Sequence, residues 1–327
     1  MIAYPLVSVV IVTYNSSNFI LEALESVFEQ DYPQIELIVT DDCSKDNTVE
    51  LVEEWISRHE CKFVRTELIV SPQNTGIPAN CNRGVKACQG EWVRLSAGDD
   101  LLAPQSISKQ IDFANKTGSE AFVGHVMSFV DKNGKRVFID KGHHINNAPW
   151  FFESDSNYQY NYLLRHYDFG LGLGTLFKKS IYDKISLYDE RYPYEEDTLF
   201  QLNITKRGVR FSYIREPIVY YRLHDSVSHT CSEELLNRKY EDSKKGVKRD
   251  HIYPHIPWYD IIYWESEAIE SLIYYLVFNV FDNQANSFNE RVICVLNKLK
   301  MLRYANYLIG KYEMKKWKKK NNKKVCK

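Results

Sequence analysis

The chain has no apolar stretch of the roughly 18 residues needed to span a bilayer. Its longest candidate, SLIYYLVFNVF at 271–281, is interrupted by Asn279 and flanked by Glu270 and Asp282, so it reads as a buried helix. The apolar run at 7–14 is too short for a secretory core and no basic segment precedes it, so no signal peptide is expected. None of the seven cysteines stands in CxxC spacing, which argues against a zinc framework. Their odd number fits reduced thiols in a cytosolic protein. There is no internal repeat and no GxGxxG: the glycines of GLGLGT at 170–175 come late and have the wrong spacing, and read as permitting close backbone approach to a bulky ligand. The net charge of -1 over 327 residues points to no partner, except that residues 311–327 hold nine lysines and one glutamate.

Apolar residues make up 44% of the chain, enough for a core, and the length suits one large domain plus an appendage. LVSVVIVTY and IELIVTDD are β-branched runs without polar alternation, the texture of strands buried on both faces. FILEALESVFEQ sets Ile20, Leu24, Val27 and Phe28 on one helical face. Asp46 is placed to cap the helix NTVELVEEWISRH; CKFVRTELIV, IPANCNRGVKACQ and EWVRLS continue as strand, helix and strand. This βαβαβαβ order implies an α/β fold with a mostly parallel sheet flanked by helices, whose ligands gather at the carboxyl ends of the strands. Three of the four strands end in polar clusters: Thr13-Tyr14-Asn15, Asp41-Asp42 and Ser96 to Asp100. Further on, a helix to about Lys116 precedes a hairpin through DKNGK, an irregular aromatic stretch at 140–165, a helix ended by Gly208, two strands (VRFSYI and IVYYRLH), and helices over roughly 232–250, 258–281 and 286–312.

Each candidate residue has a plain structural reading beside a chemical one. Asp41 and Asp42 cap the next helix, or accept a hydrogen bond from a nucleobase or ribose. Tyr14 packs, or stacks on a base. Asp99 and Asp100 cap a turn, or hold a hard divalent cation, Mn2+ or Mg2+, which needs only one or two carboxylates plus phosphate oxygens. Glu195, Glu196 and Asp197 complement a helix dipole, or supply a general base whose proton affinity is raised by burial and a neighbouring acid. His224 is a surface imidazole, or a further metal ligand.

The order of these blocks decides between the readings. VSVVIVTYNSSNFILEALESVFEQDYPQIELIVTDDCSKDNT, NTGIPANCNRGVKACQGEW, SAGDDLLAP, YEEDTLF and YYRLH, over about residues 5–225, resemble glycosyltransferase family 2, the inverting enzymes with the Rossmann-like GT-A fold. The resemblance implies that Thr13, Tyr14, Asn15, Asp41, Asp42, Gly76 and Asp99 line the nucleotide-sugar site. It further implies that Asp99, Asp100 and His224 hold Mn2+ or Mg2+, and that Asp197, with Glu196, is the catalytic base. Two departures stand out. Ala97 replaces the first acid of the family's DxD motif, which leaves open whether Asp99 or Asp100 is the main metal ligand, and Cys81 stands where many relatives have Arg.

The expected protein is thus a hexosyltransferase-type enzyme with a catalytic domain at 1–228, a helical appendage at 229–312 and a basic tail at 313–327. It would move one sugar from a nucleotide-sugar, UDP-linked by preference, to a saccharide or lipid-linked oligosaccharide in cell-surface polysaccharide synthesis such as O-antigen or capsule. Aromatics at 150–152 and 158–162, with Tyr192 and Tyr194, are candidates to stack on acceptor sugars. The expected place is the cytoplasm. The tail lysines around Trp317 either meet the anionic inner face of the membrane or form a solvated end; no nucleic-acid partner is expected. A nucleotidyltransferase would need a Gly- and Arg/Lys-rich loop where TYNSSNF stands, and a non-catalytic binding module is kept open by Ala97.

Overall fold

A computed structural model describes residues 4–132, 135–139, 148–166, 169–224 and 234–325. The chain divides into two units, Met1–Asn147 with Phe151–His224, and Ala148–Trp150 with Asp225–Lys327.

The first unit opens with β1 (Val7–Thr13), α1 (Ile20–Phe28), β2 (Ile35–Asp41), α2 (Thr48–His59), β3 (Arg65–Val70), α3 (Ile77–Ala87) and β4 (Trp92–Ala97). β5 (Leu101–Leu102), α4 (Ser106–Thr117), β6 (Ala121–Lys132) and β7 (Lys135–Ile139) follow. The unit continues through α5 (Pro149–Phe152, shared with the second unit), α6 (Ser156–Arg165), β8 (Thr175–Lys178), α7 (Lys179–Ile185), α8 (Glu196–Lys206) and β9 (Phe211–Arg222). Among the described residues the strands form one nine-stranded sheet in the order β3-β2-β1-β4-β8-β6-β9-β5, with β7 on β6. The pairs β2–β3, β1–β2 and β1–β4 are parallel, as the alternation of textures requires; β8 then enters antiparallel between β4 and β6. β1 and β2 are apolar runs because α1 and α2 cover one face and α3 packs on the other: Val9, Ile11, Leu24, Leu37, Val39 and Val52 share one core.

A polar knot sits inside this core. Glu36, fully buried on β2, accepts from Ser8, from the main-chain N–H groups of Gln89 and Gly90, and from Arg65 Nη1 at 3.0 Å. Burial alone would raise its carboxyl, but the bonds from Ser8, Gln89, Gly90 and Arg65 outweigh that and hold it below the usual range. The knot ties β1, β2, β3 and the end of α3 together.

Two expectations for this unit need correction. The strands expected as VRFSYI and IVYYRLH are one strand, β9, running parallel to β6. Gly124 pairs with Ile214 and His125 with Pro217, so exposed Arg215 and Glu216 bulge out, and Pro217, which lacks an N–H, is tolerated at the irregularity. The stretch at 140–165 is not irregular throughout. Residues 156–165 form α6, capped by Asp155 Oδ1, which accepts from Tyr158 N at 2.8 Å. Tyrosines and asparagines hide that helix from propensity, but Leu163, Leu164 and Gln159 are buried along it, and packing decides. The hairpin tip at 133–134 and residues 140–147 lie outside the described residues.

The second unit contains α9 (Arg238–Val247), a π-helical turn at Lys248–Ile252, α10 (Ile261–Asn279), α11 (Ser287–Leu299) and α12 (Met301–Val325). The helix expected over 286–312 is therefore broken at Lys300, and the lysine-rich sequence continues α12 without interruption to Val325. Buried Lys248 bonds Glu267 and Glu270 of α10 at 2.7 Å each, and Lys300 Nζ reaches Glu270 at 3.0 Å. Among the described residues no helix is long and apolar enough to cross a membrane.

α3 approaches β1 so closely at Gly84 that an added Cβ would lie 2.3 Å from Val10 Cγ1. Gly84→Ala is expected to lower unfolding free energy by about 1–3 kcal/mol, the cost of overpacking, and Val10→Ala in the same chain should recover part of it. Urea denaturation of the three variants checks this; an unchanged Gly84→Ala midpoint would contradict the packing.

Candidate active site

The register of the parallel strands brings the three polar clusters together. Thr13 of β1 faces Asp41 of β2, and Val12 faces Ala97 of β4, so residues 13–15, 41–42 and 97–100 lie side by side on one sheet edge. Asn80 of α3 fastens that edge: its Nδ2 donates to Thr13 O at 3.1 Å and its Oδ1 accepts from Thr40 Oγ1 at 2.6 Å. Tyr14 projects from the edge, 40% exposed. Asn15 holds a left-handed backbone (φ 51°), accepts from Lys45 N at 2.7 Å and donates its own N–H to Ser44 Oγ at 2.8 Å.

The two acids ending β2 have different work. Asp41 turns into its own loop and accepts from Ser44 N at 2.8 Å and from Ser44 Oγ. Asp42 reaches across to the segment before α3, accepting from Thr75 Oγ1 (2.7 Å), Thr75 N (2.9 Å), Gly76 N (2.7 Å) and Arg83 Nη2 (2.6 Å). Burial would raise its carboxyl; the bonds from Thr75, Arg83 and Gly76 prevail and keep it low. About four acceptor directions are all a carboxylate has. A ligand that bonds Asp42 must therefore displace one of these donors.

The acids ending β4 are separated more sharply. Asp100 points into the interior, where its Oδ1 accepts from Arg222 N at 3.0 Å. Burial, with the Asp99 carboxylate beside it, pushes the Asp100 carboxyl well above the usual range. Asp99 instead turns outward, and its Oδ2 meets His224 Nε2 at 2.8 Å. Arg222 organises the pair. Its Nε donates to Asp99 O at 2.9 Å, its two terminal nitrogens bond Asp131 and Glu22, and its guanidinium lies between the rings of Phe19 and Phe129, 4.9 and 4.7 Å from their centroids. Beneath them Arg94 is fully buried, its Nη1 donating to Thr175 O at 3.2 Å, and burial lowers it to about 10.

Asp197 stands in the first turn of α8. Solvent reaches it, yet protein surrounds it on most sides, and the loss of bulk water raises its carboxyl to about 6. Glu196 beside it is pushed well above the usual range by burial and by the Asp197 charge. Glu195 is buried and accepts from Thr198 Oγ1 at 3.2 Å. The glycines at 170–174 explain themselves here: a Cβ on Gly172 would lie 1.8 Å from Asp197 Oδ2. The acid itself approaches the backbone at Gly172. Asn82 of α3 fixes the segment leading into α8, donating to Tyr188 O (2.9 Å) and Glu190 Oε1 (2.8 Å) and accepting from Tyr188 N (2.9 Å).

Arg222 and Asn82 were not singled out from sequence; Gly172 was, within GLGLGT, but for a ligand rather than for Asp197. Arg222 had a signal, since it ends β9 two residues before His224. The aromatics proposed for an acceptor are partly otherwise engaged: Phe151, Phe152 and Tyr192 are buried, with Phe151 packed on Phe169 (4.6 Å) and Phe152 on Tyr213 (4.9 Å). Arg222→Met should lower stability by about 2–4 kcal/mol, the low end for a broken buried ion pair because Glu22 and Asp131 keep contact with water. Chemical denaturation measures it, and a loss under about 0.5 kcal/mol would contradict the clamp.

The model of glycosyl transferase family 2 matches residues 8–185. An uncharacterized glycosyltransferase of Rickettsia typhi is 28% identical over 243 residues, 71% of this chain and 68% of that protein. The UDP-Glc:alpha-D-GlcNAc-diphosphoundecaprenol beta-1,3-glucosyltransferase WfaP of Escherichia coli is 26% identical over 249 residues, 75% of this chain and 89% of that protein. Among solved structures, S. aureus TarS 1–349 in complex with UDP-GlcNAc superposes with a TM-score of 0.57 at 18% identity, covering 89% of this chain and 79% of that one. The chain belongs to glycosyl transferase family 2, has the GT-A fold, and is a glycosyltransferase.

Proposed function

We propose that this enzyme transfers one sugar, with inversion, from a nucleotide-sugar to a hydroxyl of a saccharide or lipid-linked oligosaccharide during cell-surface polysaccharide synthesis. The observation that carries the reading is Asp197, a solvent-reached carboxylate raised to about 6 and seated against Gly172 at the position the family uses for its base. A UDP-sugar is the favoured donor, on two supports: WfaP is named for UDP-Glc, and TarS was solved with UDP and with UDP-GlcNAc. The acceptor class follows WfaP, named for a diphosphoundecaprenol-linked sugar, and a putative teichuronic acid biosynthesis glycosyltransferase TuaG of Bacillus subtilis, 28% identical over 136 residues.

Tyr14 stacks on the base and Asn15 lines the nucleotide, while Thr13 and Asp41 shape the edge behind them. Asp42 recognises the base by exchanging one of its present donors, with Thr75 and Gly76 lining the same place. Asp99 and His224 are the residues that would hold a divalent cation, Mn2+ or Mg2+. One carboxylate and one imidazole at a strand edge suit an ion whose remaining positions go to phosphate oxygens. Asp100, buried and bonded to Arg222, supports Asp99 rather than reaching the ion. When bound, the cation offsets negative charge on the departing diphosphate. Asp197 takes the proton of the acceptor hydroxyl as its oxygen bonds the anomeric carbon and the bond from that carbon to the diphosphate oxygen breaks. Glu196 shares that proton equilibrium as a neighbouring acid. The lysines of 311–327 meet an anionic membrane surface, where a lipid-linked acceptor would lie.

Asp197→Asn should keep nucleotide binding within threefold by calorimetry and lose about 10²–10⁴-fold in turnover, the usual worth of base assistance. Its thermal midpoint at pH 8 should not fall below the parent's, because the raised pKa means that the folded state holds the Asp197 charge unfavourably there. The base must be ionised to act, so turnover of the parent should fall about tenfold per pH unit below about pH 6. A flat profile down to pH 5 would contradict the assignment.

Gly172→Ala should displace Asp197 and cost about 10²-fold in turnover, as a misplacement near 1 Å does, with donor binding intact. A Gly172→Ala enzyme as fast as the parent would show that the loop does not set the base.

A further inference from the structure

Helices α11 and α12 leave much apolar surface without a partner in their own unit. On α11 only Asn289 is buried, while Phe288, Val295 and Leu299 recur at i, i+7 and i+11 on the solvent side. On α12, Met301, Leu308 and Tyr312 repeat the same spacing, and the six side chains are 47–68% exposed. The phase of the second stripe does not end there. Lys315 and Lys319 fall at i+14 and i+18 of the same face, with Lys316 beside them, all exposed. One helical face is thus apolar for three turns and cationic for the next two. Lys300, between the helices, turns inward to Glu270 of α10, and Met301 N bonds Glu265 of α10 at 3.0 Å, so α10 backs the junction between the two helices.

The charge on this face selects its occupant. α12 carries eight lysines and one arginine against the single Glu313. A second copy would set that charge against its own kind. A bilayer rich in anionic lipid matches both halves: bulky apolar side chains seat at the boundary between headgroups and acyl chains, and lysines meet the phosphates.

We propose that the outward face of α11 and α12 is an anionic-membrane docking surface, with the Phe288–Tyr312 apolar stripe inserted and Lys315, Lys316 and Lys319 at headgroup level. The inference rests on the membrane reading of the lysine-rich end, goes beyond it by requiring the apolar stripe, and is independent of the transfer chemistry.

Vesicle co-sedimentation of the full chain decides it. Vesicles of neutral phosphatidylcholine alone and with 30% phosphatidylglycerol would be compared for the parent, for Leu299→Gln/Leu308→Gln/Tyr312→Gln, and for Lys315→Gln/Lys316→Gln/Lys319→Gln. The parent should partition onto the anionic vesicles and weakly onto neutral ones. Each triple variant should lose at least about tenfold in partitioning; the lysine set should lose about 10²-fold. Unchanged far-ultraviolet circular dichroism and thermal midpoint in the variants show that they fold. If only the lysine set matters, the electrostatic reading survives and the inserted stripe is overturned. If the parent binds no vesicle, both fall. If light scattering shows a dimer that the apolar triple dissolves, without vesicle binding, the face is instead an interface between copies and the proposal is overturned.

Discussion

Two adjacent carboxylates cannot both be kept charged in one place without a partner, and the way this fold treats Asp99 and Asp100 shapes the rest of its site. β9 ends beside β5 and the loop after β4, and delivers two residues to the problem. Arg222 draws Asp100 inward through its N–H and grips Asp99 by its carbonyl; His224, two residues on, faces the outward carboxylate. Glu22 of α1 and Asp131 of β6 complete the neutralisation of the guanidinium. One acid becomes part of the core and the other is left for chemistry.

The acids ending β2 are both engaged: Asp41 is spent on a turn and Asp42 on the segment before α3, so each of them holds backbone, as Asp100 does. The proposed base obeys a related constraint. Asp197 sits where solvent can reach it but bulk water is thinned, and Gly172 leaves no room for a side chain against it. A carboxylate with a raised pKa is a better proton acceptor near neutral pH than an ordinary one, and the fold bears its unfavourable charge in return for that reactivity. α3 serves both ends of the proposed reaction. Asn80 fastens the strand edge and Asn82 the approach to α8.

The legible part of the chain was the part whose burial is two-sided. β1 and β2 read as apolar runs with polar ends because helices cover both faces, and the alternation of strand and helix textures implied the parallel order through β4. β9 was not legible as one strand, because the exposed Arg215 and Glu216 with Pro217 look like a break; only pairing with β6 shows a bulge instead. α6 was hidden by residues that neither favour helix nor mark its face. Residue type at the site was readable and side-chain direction was not. That Asp100 turns in while Asp99 turns out depends on Arg222, more than a hundred residues later, and that Asp42 is engaged depends on Thr75 and Arg83. Family resemblance suggested the roles; the hydrogen bonds show only which oxygens are already engaged.

The central claim is that Asp99, not Asp100, presents the carboxylate that holds a divalent ion with a nucleotide diphosphate. Calorimetric titration of Mn2+ into the UDP-saturated parent, Asp99→Asn and Asp100→Asn chains tests it most directly. The account predicts that Asp99→Asn loses Mn2+ uptake, while Asp100→Asn, whose oxygen can still accept from Arg222 N, binds as the parent does. Loss of uptake in Asp100→Asn with retention in Asp99→Asn would contradict it.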